Sequence, residues 1–327
     1  MKNALVTGAS GFIGQALCFR LFSDGWRVCA ALRGDGRVDG LVPGCERITV
    51  GEIGPDTDWL TLLKEVDIVV HLAARVHVMR EKESDPLAEF RRVNVEGTLN
   101  LARHAAAAGV RRFVYLSSIK VNGEETVTGQ SFSEEDQPAP QDAYAVSKWE
   151  AEQGLRELAD KTGLEVVIIR PPLVYGPGVK ANFLAMMQWL SRGIPLPLGA
   201  IRNRRSLVAL DNLVDMIVTC LDHPSAVNQT FLVADGEDLS TPELLRRTGE
   251  ALGKPSRLLP VPVWMLETGA AMLGNRAIGQ RLCASLQVDI SKARNRLGWS
   301  PPQKVDQALH LTARYFWEHV GARESGV

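Results

Sequence analysis

The apolar run Ala4-Leu5-Val6-Thr7 ends in Gly8-Ala9-Ser10-Gly11-Phe12-Ile13-Gly14, and this junction constrains the fold more than any other segment of the 327-residue chain. A short buried strand that stops at a glycine turn and starts a helix opens a dinucleotide-binding fold. Gly8 permits the tight turn, Gly11 lets the backbone approach a pyrophosphate, and Gly14 lets the new helix pack closely on the strand. The helix amino terminus then directs free N–H groups and a partial positive charge at phosphates. Ser10, Phe12 and Ile13 lie inside the turn and join Gly8 and Gly11 as candidate cofactor contacts.

Apolar runs and helical patterns alternate through the first 170 residues. The spacing predicts strands at Ala4–Val6, Arg27–Leu32, Arg47–Val50, Ile68–Leu72, Phe113–Leu116 and Val166–Ile169. Helix-like segments fall between them at Phe12–Ser23, Pro86–Ala108 and Ala143–Lys161. Such alternation implies an α/β fold, a Rossmann-type doubly wound parallel sheet with helices on both faces. After Arg170 the pattern loosens at Pro171, Pro172, Gly176, Pro177 and Gly178. The division expected is a dinucleotide-binding domain over residues 1–170 and a mainly substrate-binding region over 171–327, which lends a strand or two to the main sheet. The acidic segment Gly123–Gln141 reads as a solvated loop over the ligand-binding edge.

Charge is nearly balanced, 37 Lys+Arg against 38 Asp+Glu, which gives no global attraction to nucleic acid or acidic membranes. Cys18, Cys29, Cys45, Cys220 and Cys283 are scattered without a C-x-x-C pair, so reduced thiols in a cytoplasmic protein are expected and no metal site. The apolar stretch Leu258–Leu273 is interrupted by Pro260, Pro262 and Glu267. It is too short to span a bilayer, and it reads as a core or interface helix, with peripheral membrane contact left open.

Tyr144 and Lys148 are the second informative pair. Residues four apart share a helix face, so phenol and ammonium project into the same space. A nearby cation favours phenolate and suits the Tyr to give or take a proton. Ser117 and Ser118 end the Phe113–Leu116 strand, at the carboxyl edge where such sheets bind ligands. A hydroxyl there can hydrogen-bond a carbonyl or alkoxide.

Together the glycine turn, the strand-end Ser and Tyr-x-x-x-Lys resemble the extended short-chain dehydrogenase/reductase family, in its nucleotide-sugar branch. Further matches run along nearly the whole chain: His71-Leu-Ala-Ala74, Asn94-Val-Glu-Gly-Thr98, Arg170-Pro-Pro-Leu-Val-Tyr-Gly176, Arg205-Ser-Leu-Val-Ala-Leu-Asp211, Asp289-Ile-Ser-Lys-Ala293 and Leu297-Gly-Trp299. The resemblance implies Ser118 as the catalytic serine, with Ser117 as runner-up, Tyr144 as the acid/base, and Lys148 on the nicotinamide ribose. It implies Leu72, Ala73, Ala74, Pro171 and Leu173 along the cofactor, Asn94 as a support of the active site, and Arg205 on the nucleotide diphosphate. A homodimer is common in such a family.

Three departures from the family pattern carry information. Arg33 stands where an acid binds the adenosine ribose in NAD enzymes, and no acid follows until Asp35. A guanidinium suits a 2′-phosphate, so NADP(H) is favoured and NAD(H) is the alternative, with Glu52 and Ile53 near the adenine. Ile119 and Lys120 replace the acidic pair of the family's 4,6-dehydratases, which argues against dehydration. Leu173 stands where many UDP-hexose enzymes have Asn, a part that Asn182 could take.

The run Ser117-Ser-Ile-Lys-Val-Asn-Gly-Glu124, with Lys120 as a substrate contact, resembles the subgroup that reduces the 4-keto group of UDP-2-acetamido-2,6-dideoxy-hexos-4-ulose to UDP-N-acetylquinovosamine, a step in bacterial surface polysaccharide (O-antigen) synthesis. The expected activity is therefore NAD(P)H-dependent reduction of a UDP-linked 4-keto sugar. The alternatives are a UDP-hexose 4-epimerase, a reductase of hydrophobic ketones and a non-catalytic NADP(H)-binding sensor.

Overall fold

The computed structural model describes residues 2–34, 40–76, 85–127, 129–272 and 282–321. Asp35 and Leu273 lie outside them. Seven strands form one parallel sheet: β1 (Asn3–Thr7), β2 (Arg27–Leu32), β3 (Glu46–Thr49), β4 (Ile68–His71), β5 (Arg112–Leu116), β6 (Glu165–Arg170) and β9 (Gln229–Leu232). Their order is β3-β2-β1-β4-β5-β6-β9. The order reverses between β1 and β4, where the carboxyl ends part to leave a ligand crevice. Registers such as Leu5↔Cys29, Leu5↔Val69, His71↔Tyr115 and Leu116↔Ile169 align the carboxyl ends of neighbouring strands. β4 and β5 are buried at every residue, as strands covered on both faces must be.

Two apolar layers flank the sheet. On one face α1 (Phe12–Ser23) and α7 (Leu210–Asp222) bury Leu17, Leu21, Leu213 and Ile217 against Val6, Val70 and Val114. On the other, α2 (Leu60–Leu63), α4 (Thr98–Ala107) and α5 (Ala143–Thr162) bury Leu63, Leu101 and Leu155 against Leu5, Val69 and Phe113. α3 (Pro86–Phe90) runs into α4 through a π-helical turn, Arg91–Gly97, so the single regular helix expected over Pro86–Ala108 is three segments. The wide turn carries Asn94, which is buried.

A second sheet joins β7 (Leu173–Tyr175) parallel to β8 (Arg205–Ala209), and β8 antiparallel to β10 (Asp238–Leu239). A third apolar cluster sits beneath it, formed by α6 (Ala181–Ser191), α8 (Thr241–Ala251) and the helix Val305–Phe316. From beyond residue 170, β9 adds the last strand of the first sheet and α7 packs on one of its faces. Gly123–Gln141 is also less solvated than expected. Phe132 bridges Val288, and the Glu134 carboxylate accepts the Leu232 N–H at 2.7 Å, so this segment is strapped to the carboxy-terminal region.

Candidate active site

Every residue of the glycine turn has a specific neighbour. Gly8 holds φ +67°, and a Cβ there would lie 2.8 Å from the Ala73 nitrogen, so the turn abuts the loop after β4. A Cβ at Gly14 would lie 2.1 Å from the Gly8 carbonyl oxygen, which means α1 packs against the turn itself as well as the strand. Gly11 caps α1 without a side-chain hydrogen bond, and the first turn of the helix holds no acid. Donors at the amino end of α1 therefore remain for an anion, and the turn fits a dinucleotide pyrophosphate. Ser10 and Gly11 are exposed, with Phe12 and Ile13 half-buried beside them.

Leu72, Ala73 and Ala74 are half-buried at the end of β4, and the Ala73 N–H donates to Thr7 Oγ1 at 3.2 Å. His71 locks this edge: its Nδ1 is 2.7 Å from Thr7 Oγ1 and its Nε2 is 2.9 Å from Thr98 Oγ1. Burial, reinforced by the charge of Lys148, lowers its pKa to about 3, so the ring is neutral. Arg33 follows β2 and is exposed, while Glu52 is exposed beyond β3 and 3.8 Å from Arg92.

Ser118 follows β5 and is half-buried, its Oγ accepting the Lys120 N–H at 3.3 Å. Ser117 differs: it is buried and donates to Glu152 Oε1 at 2.5 Å. Of the two hydroxyls, that of Ser118 stands nearer the cleft. Asp142 starts α5 by accepting the Ala145 N–H at 2.7 Å, which places Tyr144 in the first turn and Lys148 one turn on. Asn94 braces this helix from the π-helical turn, donating to Ser147 Oγ at 3.0 Å and accepting the Arg75 N–H at 2.8 Å.

Lys148 Nζ donates to the Leu116 carbonyl at 2.7 Å and lies 6.0 Å from the centre of the Tyr144 ring. Burial pulls its pKa down to about 7, opposed by the Glu152 carboxylate. Burial also raises the Tyr144 phenol well above its ordinary value, with Asp142 adding in the same direction. Burial thus sets the direction of this phenol's shift.

Lys120 also departs from expectation. Its Nζ is paired with Asp142 at 2.5 Å and with Glu124 at 3.3 Å, so the ammonium buttresses the start of α5 instead of reaching out alone for a substrate. Beyond β6, Pro171 is buried and its carbonyl accepts the Ile119 N–H at 3.0 Å, while Leu173 is half exposed on β7. Asn182, exposed at the start of α6, and Arg205, at the start of β8, belong to the second layer. Arg205 Nη1 donates to the Ala284 carbonyl at 3.0 Å. The strands thus bring together Gly8, Ala73, Ser118, Tyr144, Lys148 and Pro171 at one edge, and β7 links that edge to Arg205.

Beneath the site lies a buried network that sequence reasoning missed. Glu152 accepts from Ser117, from Arg170 Nε at 2.9 Å and Nη2 at 2.5 Å, and from Arg156 at 2.9 Å. Arg170 Nη1 donates in turn to Asn122 Oδ1 at 2.9 Å. The signal was present in the spacing, since Tyr144, Lys148 and Glu152 recur every four residues along one face of α5.

Comparison with known proteins agrees with this architecture. Residues 4–234 match the NAD dependent epimerase/dehydratase family. A UDP-glucose 4-epimerase of Vibrio cholerae is 49% identical over 96% of this chain and 95% of its own length. An N-acetyl-alpha-D-glucosaminyl-diphospho-ditrans,octacis-undecaprenol 4-epimerase of Escherichia coli O157:H7 is 27% identical over 97% of this chain and 96% of its own. Among solved structures, a UDP-glucose 4-epimerase of Thermotoga maritima with UDP-glucose superposes at a TM-score of 0.76, with 24% identity over 97% of this chain and 99% of the other. With its glycine turn, its crevice and its Tyr–Lys helix in that setting, the chain belongs to the NAD dependent epimerase/dehydratase family.

Proposed function

We propose that the protein is a UDP-hexose 4-epimerase, acting on UDP-glucose or UDP-GlcNAc with NAD(H) held through the cycle. The observation that carries this reading is the 49% identity to a UDP-glucose 4-epimerase, sustained over nearly the full length of both chains. It displaces the quinovosamine-forming reductase expected from the run around Lys120, whose ammonium is engaged with Asp142 and Glu124.

Gly8, Gly11, Leu72, Ala73, Tyr144 and Lys148 would hold the dinucleotide, and a bound nicotinamide supplies the acceptor and donor of hydride. The chain's own groups handle the proton. Tyr144 Oη takes it from the C4 hydroxyl and returns it after the sugar has presented its other face. Ser118 Oγ hydrogen-bonds the same oxygen and stabilises its developing charge. Lys148, fixed on the Leu116 carbonyl 6.0 Å from the Tyr144 ring, would favour the phenolate in its protonated form. Arg205 supplies the cation for the substrate diphosphate.

One observation favours a second reading, net reduction with NADP(H): Arg33, not an acid, follows β2. A single experiment separates the two. Purified protein given UDP-glucose or UDP-GlcNAc without added cofactor should yield the C4 epimer by proton NMR, and Tyr144→Phe should abolish turnover with cofactor affinity nearly intact. No epimer, together with stoichiometric NADPH consumption on UDP-2-acetamido-2,6-dideoxy-hexos-4-ulose, would make the reductase reading correct.

A further inference from the structure

The stretch expected to form a core or interface helix is not core. Helix α9 (Val263–Met272) leaves Trp264 67% exposed, Met265 48% and Met272 84%. At about 100° per residue these three fall within one arc of roughly 100°, while the half-buried Val263 and Leu266 point the other way. The helix therefore seats one apolar face on the protein and offers a second to solvent.

Exposed apolar side chains recur on the segment that leads into α9 and on the one paired with it. Leu259 exchanges backbone hydrogen bonds with residues 196 and 199, at 2.8 and 2.9 Å, and is exposed together with Ile194. Trp189, at the end of α6, is half exposed and its carbonyl accepts the Ile194 N–H. Large exposed apolar side chains gathered on consecutive segments mark an interaction site.

Charge narrows the occupant. The whole chain is balanced, yet residues 180–205 contain no acid, and residues 251–272 contain only Glu267. Arg202, Arg204, Lys254 and Arg257 are exposed there, and Arg257 shares a strand face with Leu259 two residues on. A second copy of this chain meeting the surface across a two-fold axis would set these cations against their own kind. An anionic partner with an apolar interior has the complementary chemistry. The ten residues of α9 span about 15 Å, half of what crosses a bilayer, so the helix can lie on a membrane but not traverse it.

We propose that this surface docks the protein on an anionic phospholipid bilayer, with Trp264, Met265 and Met272 at headgroup depth and the four cations over the lipid phosphates. Arg202 and Arg204 flank Asn203, which donates to the Leu282 and Ala284 carbonyls, and Arg205 donates to the latter. The docked protein would thus work at the membrane surface, whichever nucleotide sugar it binds.

The test is co-sedimentation of the full-length protein with vesicles of phosphatidylcholine alone and of phosphatidylcholine mixed with phosphatidylglycerol. Binding should require phosphatidylglycerol, weaken as salt rises, and fall at least about tenfold in the double variant Trp264→Glu/Met265→Glu. Arg257→Glu should give a smaller loss, with cofactor binding and thermal unfolding unchanged in both variants. Failure to bind phosphatidylglycerol vesicles, or equal binding by the double variant, would overturn the proposal. So would a fall in molar mass of the double variant by light scattering, which would make this face a protein–protein interface.

Discussion

Replacing Glu152 by Gln removes one charge from the most enclosed ion cluster in the described structure. Glu152 is fully buried and Arg170 is 2% exposed, so neither can turn to water when the other is neutralised. Of the donors to this carboxylate, Arg156 has a side chain 37% exposed and can rehydrate at little cost. Ser117 is buried, and losing a charged acceptor there costs about 1–3 kcal/mol at most. The Arg170 guanidinium decides the size of the effect, since an uncompensated buried charge costs about 3–5 kcal/mol. Glu152→Gln should therefore destabilise by at least about 3 kcal/mol in urea unfolding followed by circular dichroism. The double variant Glu152→Met/Arg170→Met removes both charges together and should lose far less than the sum of the single changes. Because the pair is dry, the loss should be nearly independent of salt, unlike that of an exposed pair such as Arg27–Glu65. A loss under about 1 kcal/mol for Glu152→Gln, or additivity in the double variant, would refute the view that this carboxylate balances the buried Arg170 charge.

Gly14→Ala puts a methyl 2.1 Å from the Gly8 carbonyl, a backbone atom that cannot swing away, so dinucleotide affinity measured by calorimetry should fall at least about tenfold. Ser118→Ala should lower kcat by about a hundredfold or more, with little change in melting temperature. Ser117→Ala should reverse that ranking, because its hydroxyl serves buried Glu152. His71 has a folded pKa of about 3 against an unfolded value near 6.5, so the unfolded chain binds the extra proton between those limits. Stability should fall by up to about 1.4 kcal/mol per pH unit as pH drops through that window, and His71→Asn should flatten that limb of a stability-against-pH curve.

How much of this was legible in the sequence depended on whether a residue's role was settled by its neighbours along the chain or by distant ones. β4 could be read because Ile68, Val69 and Val70 are apolar on both faces, and the glycine turn because Gly11 and Gly14 answer to Gly8 and Ala9 close by in the chain. The π-helical turn at Arg91–Gly97 could not, since one widened turn leaves the apolar periodicity of Pro86–Ala108 almost unchanged. Lys120 read as a substrate contact because its partner Asp142 lies 22 residues away, across a loop whose path the sequence does not specify.

The two hydroxyls at the end of β5 carry the same lesson into the chemistry. Side by side in sequence, Ser117 and Ser118 are ranked only by family resemblance, yet the fold separates them, Ser117 bonded to a buried carboxylate and Ser118 half-buried. Glu152, three helical steps of four from Asp142 less two residues, is the group that makes this division chemical: it satisfies the inner hydroxyl and holds Arg170, while raising the charge of Lys148 one turn away. The network that stabilises the domain and the pair that handles the proton therefore share one helix face. A change at Glu152 should appear in both unfolding and the pH profile of turnover, whereas a change at Tyr144 should appear in turnover alone.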